Sequence, residues 1–201
     1  MAGHIMRGCA TAILVIVFLV SRAASAQEQR GPSTAEERAR AVRVAHQLEA
    51  DPLGKDAKDQ REWMIQWIIE IPDITVDVCF EYFGSLPHPP RGHSQEVVSQ
   101  MMLSSAAFMI EHPDKVKDEQ AVALAGLLGS LKAYEAILKQ DTSARWLYVD
   151  HLLSMRDQGK LDDYVVETRK KCKSQEEDDP DTIRARASLS PAAPAGLIIL
   201  F

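Results

Sequence analysis

The sequence predicts an all-α fold, a single compact bundle of about six to seven helices. Three observations carry that expectation. Apolar residues recur at three- and four-residue spacing through most of residues 33–172, the period of a helix with one buried face. The periodic stretches are separated by helix breakers: Asp51-Pro52-Leu53-Gly54, His112-Pro113-Asp114 and Gly159. Only residues 74–83 alternate with the period of a strand, and no second stretch of that quality exists to take up the backbone hydrogen bonds of a lone strand.

Element by element, Ser33 or Thr34 caps the first helix, with Glu36 and Glu37 placed to close a capping box. That helix reaches Ala50 and shows Val42, Ala45 and Leu48 on one side. A second helix covers residues 56–71, where Trp63, Met64, Trp67, Ile68 and Ile71 form a broad apolar stripe before Pro72. Residues 74–83 are read as a short buried helix opened by Asp73, with strand as the alternative. A Pro/Gly-rich loop follows (residues 84–93), and Ser94 caps a central helix ending near Glu111. Its segment MMLSSAAFMI (residues 101–110) is apolar nearly all round, as in a helix surrounded by others.

The longest helix is expected over residues 116–139, with Leu124, Leu128, Leu131 and Leu138 on one face. Gly126 and Gly129 each cost about 1 kcal/mol of helix propensity relative to alanine. Close packing against Ser104, Ser105, Ala106 and Ala107 would account for them. Asp141-Thr142-Ser143 restarts a helix that Gly159 stops, and residues 161–172 form the last one. Residues 173–201, acidic and then Pro/Ala-rich, are expected to be disordered, and Leu197-Ile198-Ile199-Leu200-Phe201 is a frayed end or a docking peptide.

The first 26 residues have the three-part plan of a secretory signal peptide: Arg7, an apolar run at residues 9–20, and Ala24-Ser25-Ala26 before Gln27. The run is shorter than the roughly 20 residues of a membrane span, so no stable span is expected after cleavage. Residues 27–32 read as a flexible leader and residues 33–172 as the helical domain. Of the 201 residues, 175 remain after removal of those 26, enough for one domain with a real core. Arg7 and Arg22 leave with the peptide, so 21 of the 23 Lys and Arg stay against 29 acids, a formal charge of −8. That balance argues against nucleic acid and against anionic lipid, both of which select basic surfaces.

Two cysteines remain, Cys79 and Cys172. An even number in an exported chain predicts one disulfide. It would close a loop of roughly 90 residues, stabilise the fold by about 4–5 kcal/mol, and tie the last helix to the middle of the domain. The localisation expected is periplasmic or secreted.

Candidate chemistry is sparse. Cys79, His88 and His93 are zinc-ligand types, but the closely spaced pairs of a structural site are missing. Cys79 has no local histidine to activate it as a nucleophile. Asp150 and His151 are neighbours on a helix and point about 100° apart. Asp162 and Asp163 complement a helix dipole without any catalytic role. The sequence contains no Gly-rich phosphate loop, nucleophile elbow or HExxH motif. Trp63, Trp67, Tyr134, Trp146 and Tyr148 could line an apolar cavity, although at helical spacing such residues are ordinarily core. We therefore assign no catalytic, cofactor or metal residues, and no cofactor.

Some stretches are similar to known proteins. LKAYEAILKQD (residues 131–141) resembles the second helix of a tetratricopeptide repeat, with no second copy at the 34-residue period. Residues 94–164, with HPDK at 112–115, LKAYEAILK at 131–139 and DQGKL at 157–161, resemble uncharacterised secreted α-helical proteins of bacteria. That resemblance implies a helical domain of the bacterial envelope and carries no activity. A helix ending in HPDK before an Ala/Leu-rich helix is also similar to small periplasmic immunity proteins of type VI secretion, which act by binding a toxin. Their cysteine soon after the second helix has no counterpart before Cys172. The expectation is a non-enzymatic protein that binds a protein partner or a second copy of itself. A carrier for a small apolar ligand and a hydrolase with a site scattered in sequence are the alternatives.

Overall fold

Thr34 starts the first helix by the reciprocal pairing its sequence suggests. Its hydroxyl accepts from the Glu37 N–H at 3.2 Å, and its own N–H donates to the Glu37 carboxylate at 2.8 Å. The structure is a computed structural model describing residues 30–77, 79–84 and 92–178. The expected signal peptide, the first half of the leader, His88 and the tail from residue 179 lie outside the described residues. Six α-helices are described: α1 (Ala35–Ala50), α2 (Ala57–Glu70), α3 (Ser94–Glu111), α4 (Glu119–Gln140), α5 (Leu147–Asp157) and α6 (Leu161–Asp178). No strand occurs among the described residues. The all-α bundle is the fold that the periodicity predicts.

The antiparallel seam of α3 and α4 is its centre. Gly126 and Gly129 bring α4 against α3 so closely that a Cβ on Gly129 would collide with Ser104 and with Glu49 Oε1. One on Gly126 would come within 2.7 Å of the Met101 carbonyl. The two glycines and the small residues of α3 are thus partners, as their sequence suggests. α1 lies across both seam helices, α2 packs mainly on α1, and α5 and α6 lie on α4.

Two clusters form the core. One joins Ala41, Ala45 and Leu48 of α1 to Met64, Trp67 and Ile68 of α2 and Leu103 and Ala106 of α3. The other joins Leu127, Leu131, Tyr134 and Ile137 of α4 to Val149, Leu152, Leu161 and Val165. At roughly 1.5–3 kcal/mol per buried large apolar side chain, these clusters supply the main driving force for folding. By length and composition α4 could cross a membrane; here it is the helix that α1, α3, α5 and α6 all touch.

Several expectations need correction. Residues 74–77 are not a helix; they run without regular structure, followed by a single 3-10 turn, Phe80–Phe83. The alternation still has a purpose, since Ile74 and Val76 point into the first core cluster while Thr75 and Asp77 are exposed. Asp73 opens no helix; it accepts from Ser33 N–H at 2.8 Å, Ser33 Oγ at 2.7 Å and Arg38 at 2.6 Å, fastening the start of α1. Ser94 is the first residue of α3, and His93 occupies the cap position without a side-chain cap bond.

Asp141 does not restart a long helix. Its carboxylate accepts from the Ser143 N–H at 2.9 Å and closes a 3-10 turn, Thr142–Ala144. Trp146 is extended and α5 begins at Leu147, because the Trp146 N–H donates to the Tyr134 hydroxyl at 2.8 Å. α4 likewise starts at Glu119, capped by Asp118, after a 3-10 turn at Pro113–Lys115. Finally, α6 continues past Cys172, where the domain was expected to end, to Asp178. Arg169 and Lys173, on either side of Cys172, both pair with Glu119 on α4.

Candidate functional site

Cys79 and Cys172 form a disulfide, with Cα atoms 6.0 Å apart and 93 positions apart in sequence. It fastens α6 to the segment after α2, and it fits an oxidising compartment. The Cys79 sulfur is therefore engaged, and of the zinc-type set only His93 stands free of it among the described residues. No group of three or more metal-binding side chains occurs among them. Trp67 and Tyr134 are core residues, and Trp63 stacks on Trp67 with centroids 6.0 Å apart. Arg40 covers Trp63 at 3.7 Å from the ring centre, a cation–π contact. His151 is exposed, as are Asp162 and Asp163 in the first turn of α6.

The first concave feature is a cleft of about 390 Å3 between the start of α3 and the connection into α5. Val97, Ile137 and Trp146 line it, together with His93, Arg145 and Leu147. Leu147 is 80% exposed, the most exposed large apolar residue described. Two of the polar groups beside it are engaged with one carboxylate. Tyr134 donates to Asp150 at 2.9 Å while accepting from Trp146, and Arg145 donates to Asp150 at 2.8 Å. His93 lies between Asp141, at 3.5 Å, and Glu96, at 3.8 Å. Burial holds the Tyr134 hydroxyl above its ordinary pKa, so it stays a neutral donor.

The second is a groove of about 360 Å3 with Phe108 and Leu128 on its apolar surface and His46, Glu49, Glu111 and Lys132 around it. Glu49, only 8% exposed, is its anchor. Its Oε1 accepts from Ser104 at 2.8 Å and its Oε2 from Lys132 at 2.9 Å. Gln100 extends the chain, donating to Ser104 at 2.9 Å and to the Ala45 carbonyl at 3.0 Å. Burial alone would raise the Glu49 pKa, but the bonds from Lys132 and Ser104 outweigh it and the carboxyl sits below its usual range. His46 has Nδ1 3.4 Å from Glu49 and Nε2 3.0 Å from Glu111.

The chemistry of this second network follows from its order. A serine nucleophile needs a base on its hydroxyl with a pKa near the working pH. Here the carboxylate sits between Ser104 and His46, and it is held ionised. The network binds three helices together: Glu49 on α1, Gln100 and Ser104 on α3, Lys132 on α4. Sequence reasoning missed it, although two signals were present. Gln100 and Ser104 stand four apart on the buried face of α3, and Glu49 extends the stripe of Ala41, Ala45 and Leu48. A carboxylate in such a stripe needs a partner from another element, and nothing local names Lys132.

No protein-family model, curated protein or solved structure matches this chain. The segment similar to a tetratricopeptide helix is the C-terminal half of α4, within one continuous helix.

Proposed function

We propose that this chain is an exported, non-enzymatic protein-binding module of the bacterial envelope, working in the periplasm or after secretion. The observation that supports it is Leu147, offered to solvent beside a cleft of mixed polar and apolar lining. A leucine so exposed, next to a slot walled by Val97, Ile137 and Trp146, suits the side chain of another protein. The Tyr134 hydroxyl and the Arg145 guanidinium are both tied to Asp150, which suits a structural role for them. The disulfide supports the oxidising compartment, and the N-terminal pattern of Arg7, apolar run and Ala-Ser-Ala supports export.

Replacing Leu147 with a photo-crosslinking amino acid in cells of the producing bacterium tests this. Lys58, on α2 with an 80% exposed side chain, is the control position. A discrete adduct at 147 and none at 58 is the expected result, and an adduct of twice the mass identifies a second copy as the partner. No adduct at 147, or the same pattern at both positions, overturns the reading.

A second reading has one observation in its favour: about 390 Å3 lies within the range of small-ligand sites, roughly 300–1,000 Å3. A carrier for a small apolar ligand would retain it through purification. Native mass spectrometry of the purified protein would then show an added mass that Leu147→Glu or Val97→Glu removes.

A further inference from the structure

His46 has a carboxylate at each ring nitrogen, and this juxtaposition has a protonation requirement. Only the imidazolium has two N–H donors; a neutral ring donates from one nitrogen and presents a lone pair at the other. With Glu49 3.4 Å from Nδ1 and Glu111 3.0 Å from Nε2, both contacts are hydrogen bonds only in the cation. Glu49 is at the end of α1 and Glu111 at the end of α3, and both border the groove on Phe108 and Leu128. We propose that His46 is a proton-operated clasp that fastens the ends of α1 and α3 beside this groove and releases them when it loses its proton.

The surroundings decide which part moves. Glu49 is buried and held by Ser104 and Lys132, so it cannot retreat from a lone pair. The His46 side chain is 47% exposed and has solvent to turn into. Deprotonation therefore sets a lone pair against the Glu49 carboxylate, which turns the exposed ring away and loosens its remaining bond to Glu111.

The charged groups around the clasp come from four helices: Glu49 on α1, Glu111 and the terminal His112 on α3, Lys132 on α4 and Arg156 on α5. Lys132 is paired with Glu49, and Arg156 is held by both oxygens of Glu135 at 2.8 and 2.9 Å. His112 is turned to Phe108, with ring centroids 4.5 Å apart. That leaves His46 as the group bridging two acids.

The hydrogen bond to Glu111, opposed by partial burial and assisted by Glu49, raises the His46 pKa above 6.5. A raised pKa in the folded state means that the clasp's stabilisation is complete below 6.5 and is lost as pH rises through the folded value. Glu49 sets the other limit. Its pKa is lowered, so its contribution is present above 4.5 and lost as pH falls through its folded value. The network is therefore complete in mildly acidic solution.

The test is a pH titration of the oxidised protein by NMR, following the His46 Cε1–Hε1 signal and the backbone amides of residues 108–112. His46→Gln assigns the signal, and Glu111→Gln, a change at an exposed position, removes one arm of the clasp. The expected result is a His46 midpoint above 6.5 that falls toward 6.5 in Glu111→Gln. The amides at the end of α3 should titrate with the His46 midpoint and lose that phase in His46→Gln, although His112 is untouched. Urea midpoints should agree: the advantage of wild type over His46→Gln at pH 5.5 disappears by pH 8.5. A His46 midpoint at or below 6.5, a midpoint unmoved by Glu111→Gln, or end-of-α3 amides that keep the same phase in His46→Gln would overturn the proposal.

Discussion

The α3–α4 seam and the α4–α5–α6 side of the bundle are held together in opposite ways. At the seam, glycines and serines allow two backbones to approach until a single methyl group would not fit, and buried Glu49 joins the assembly through short hydrogen bonds. On the other side, large side chains bridge irregular backbone. Phe83 stacks on Trp146 with centroids 6.0 Å apart, the Tyr134 hydroxyl accepts from a main-chain N–H, and Tyr164 reaches the Tyr82 carbonyl at 2.9 Å. Regular helices can fit by shape, because the ridges and grooves repeat along them. Irregular segments have no such repeat, so each needs its own anchor, and here one of them is covalent.

The largest expected effect breaks that covalent anchor. Replacing Cys79 and Cys172 together with serine should cost about 4–5 kcal/mol by loop-entropy reasoning, read from urea denaturation beside the oxidised wild type. A loss under about 1 kcal/mol would mean that side-chain anchors alone hold α6, since loop closure should contribute several times more.

Gly129→Ala tests the seam. Helix propensity alone would stabilise α4 by about 1 kcal/mol, but the added methyl group meets Ser104 and Glu49. Overpacking should prevail and leave a net loss of about 1–3 kcal/mol. A variant more stable than wild type would show that the seam has room to spare.

The smallest effect sharpens the other side. Tyr134→Phe removes the acceptor of the Trp146 N–H and the donor to Asp150. The expected cost is about 1 kcal/mol, the low end for an orphaned donor, because Tyr134 and Trp146 border the cleft. Trp146 fluorescence should shift to longer wavelength as the start of α5 loosens, and an unchanged spectrum would argue that Phe83 stacking alone fixes it.

Much of this architecture could be read from residues. The Thr34–Glu37 box, the breaks at Pro52 and Pro113, the stop at Gly159 and the match of Gly126 and Gly129 with small residues all rest on local rules or on one neighbouring helix. The disulfide was inferred from number and compartment, and its geometry came with the fold. The groove was not legible. Its anchor, Glu49, is 83 positions from Lys132 and 55 from Ser104, distances at which a linear pattern has no signal.

The sequence by itself therefore determined the all-α class, the position of most of the described helices and which of them can approach closely, because these depend on backbone dihedrals, caps and side-chain size. Tertiary structure decided the rest. Residues 74–77 alternate like a strand yet pair with none, and the core next to Ile74 and Val76 chose their conformation. Asp141 opens a single turn because the Tyr134 hydroxyl, on another helix, captures the Trp146 N–H. Glu49 can be buried only because Ser104 and Lys132 are brought to it. In each case the deciding partner is remote in sequence, and a group's energy in the fold depends on what stands next to it.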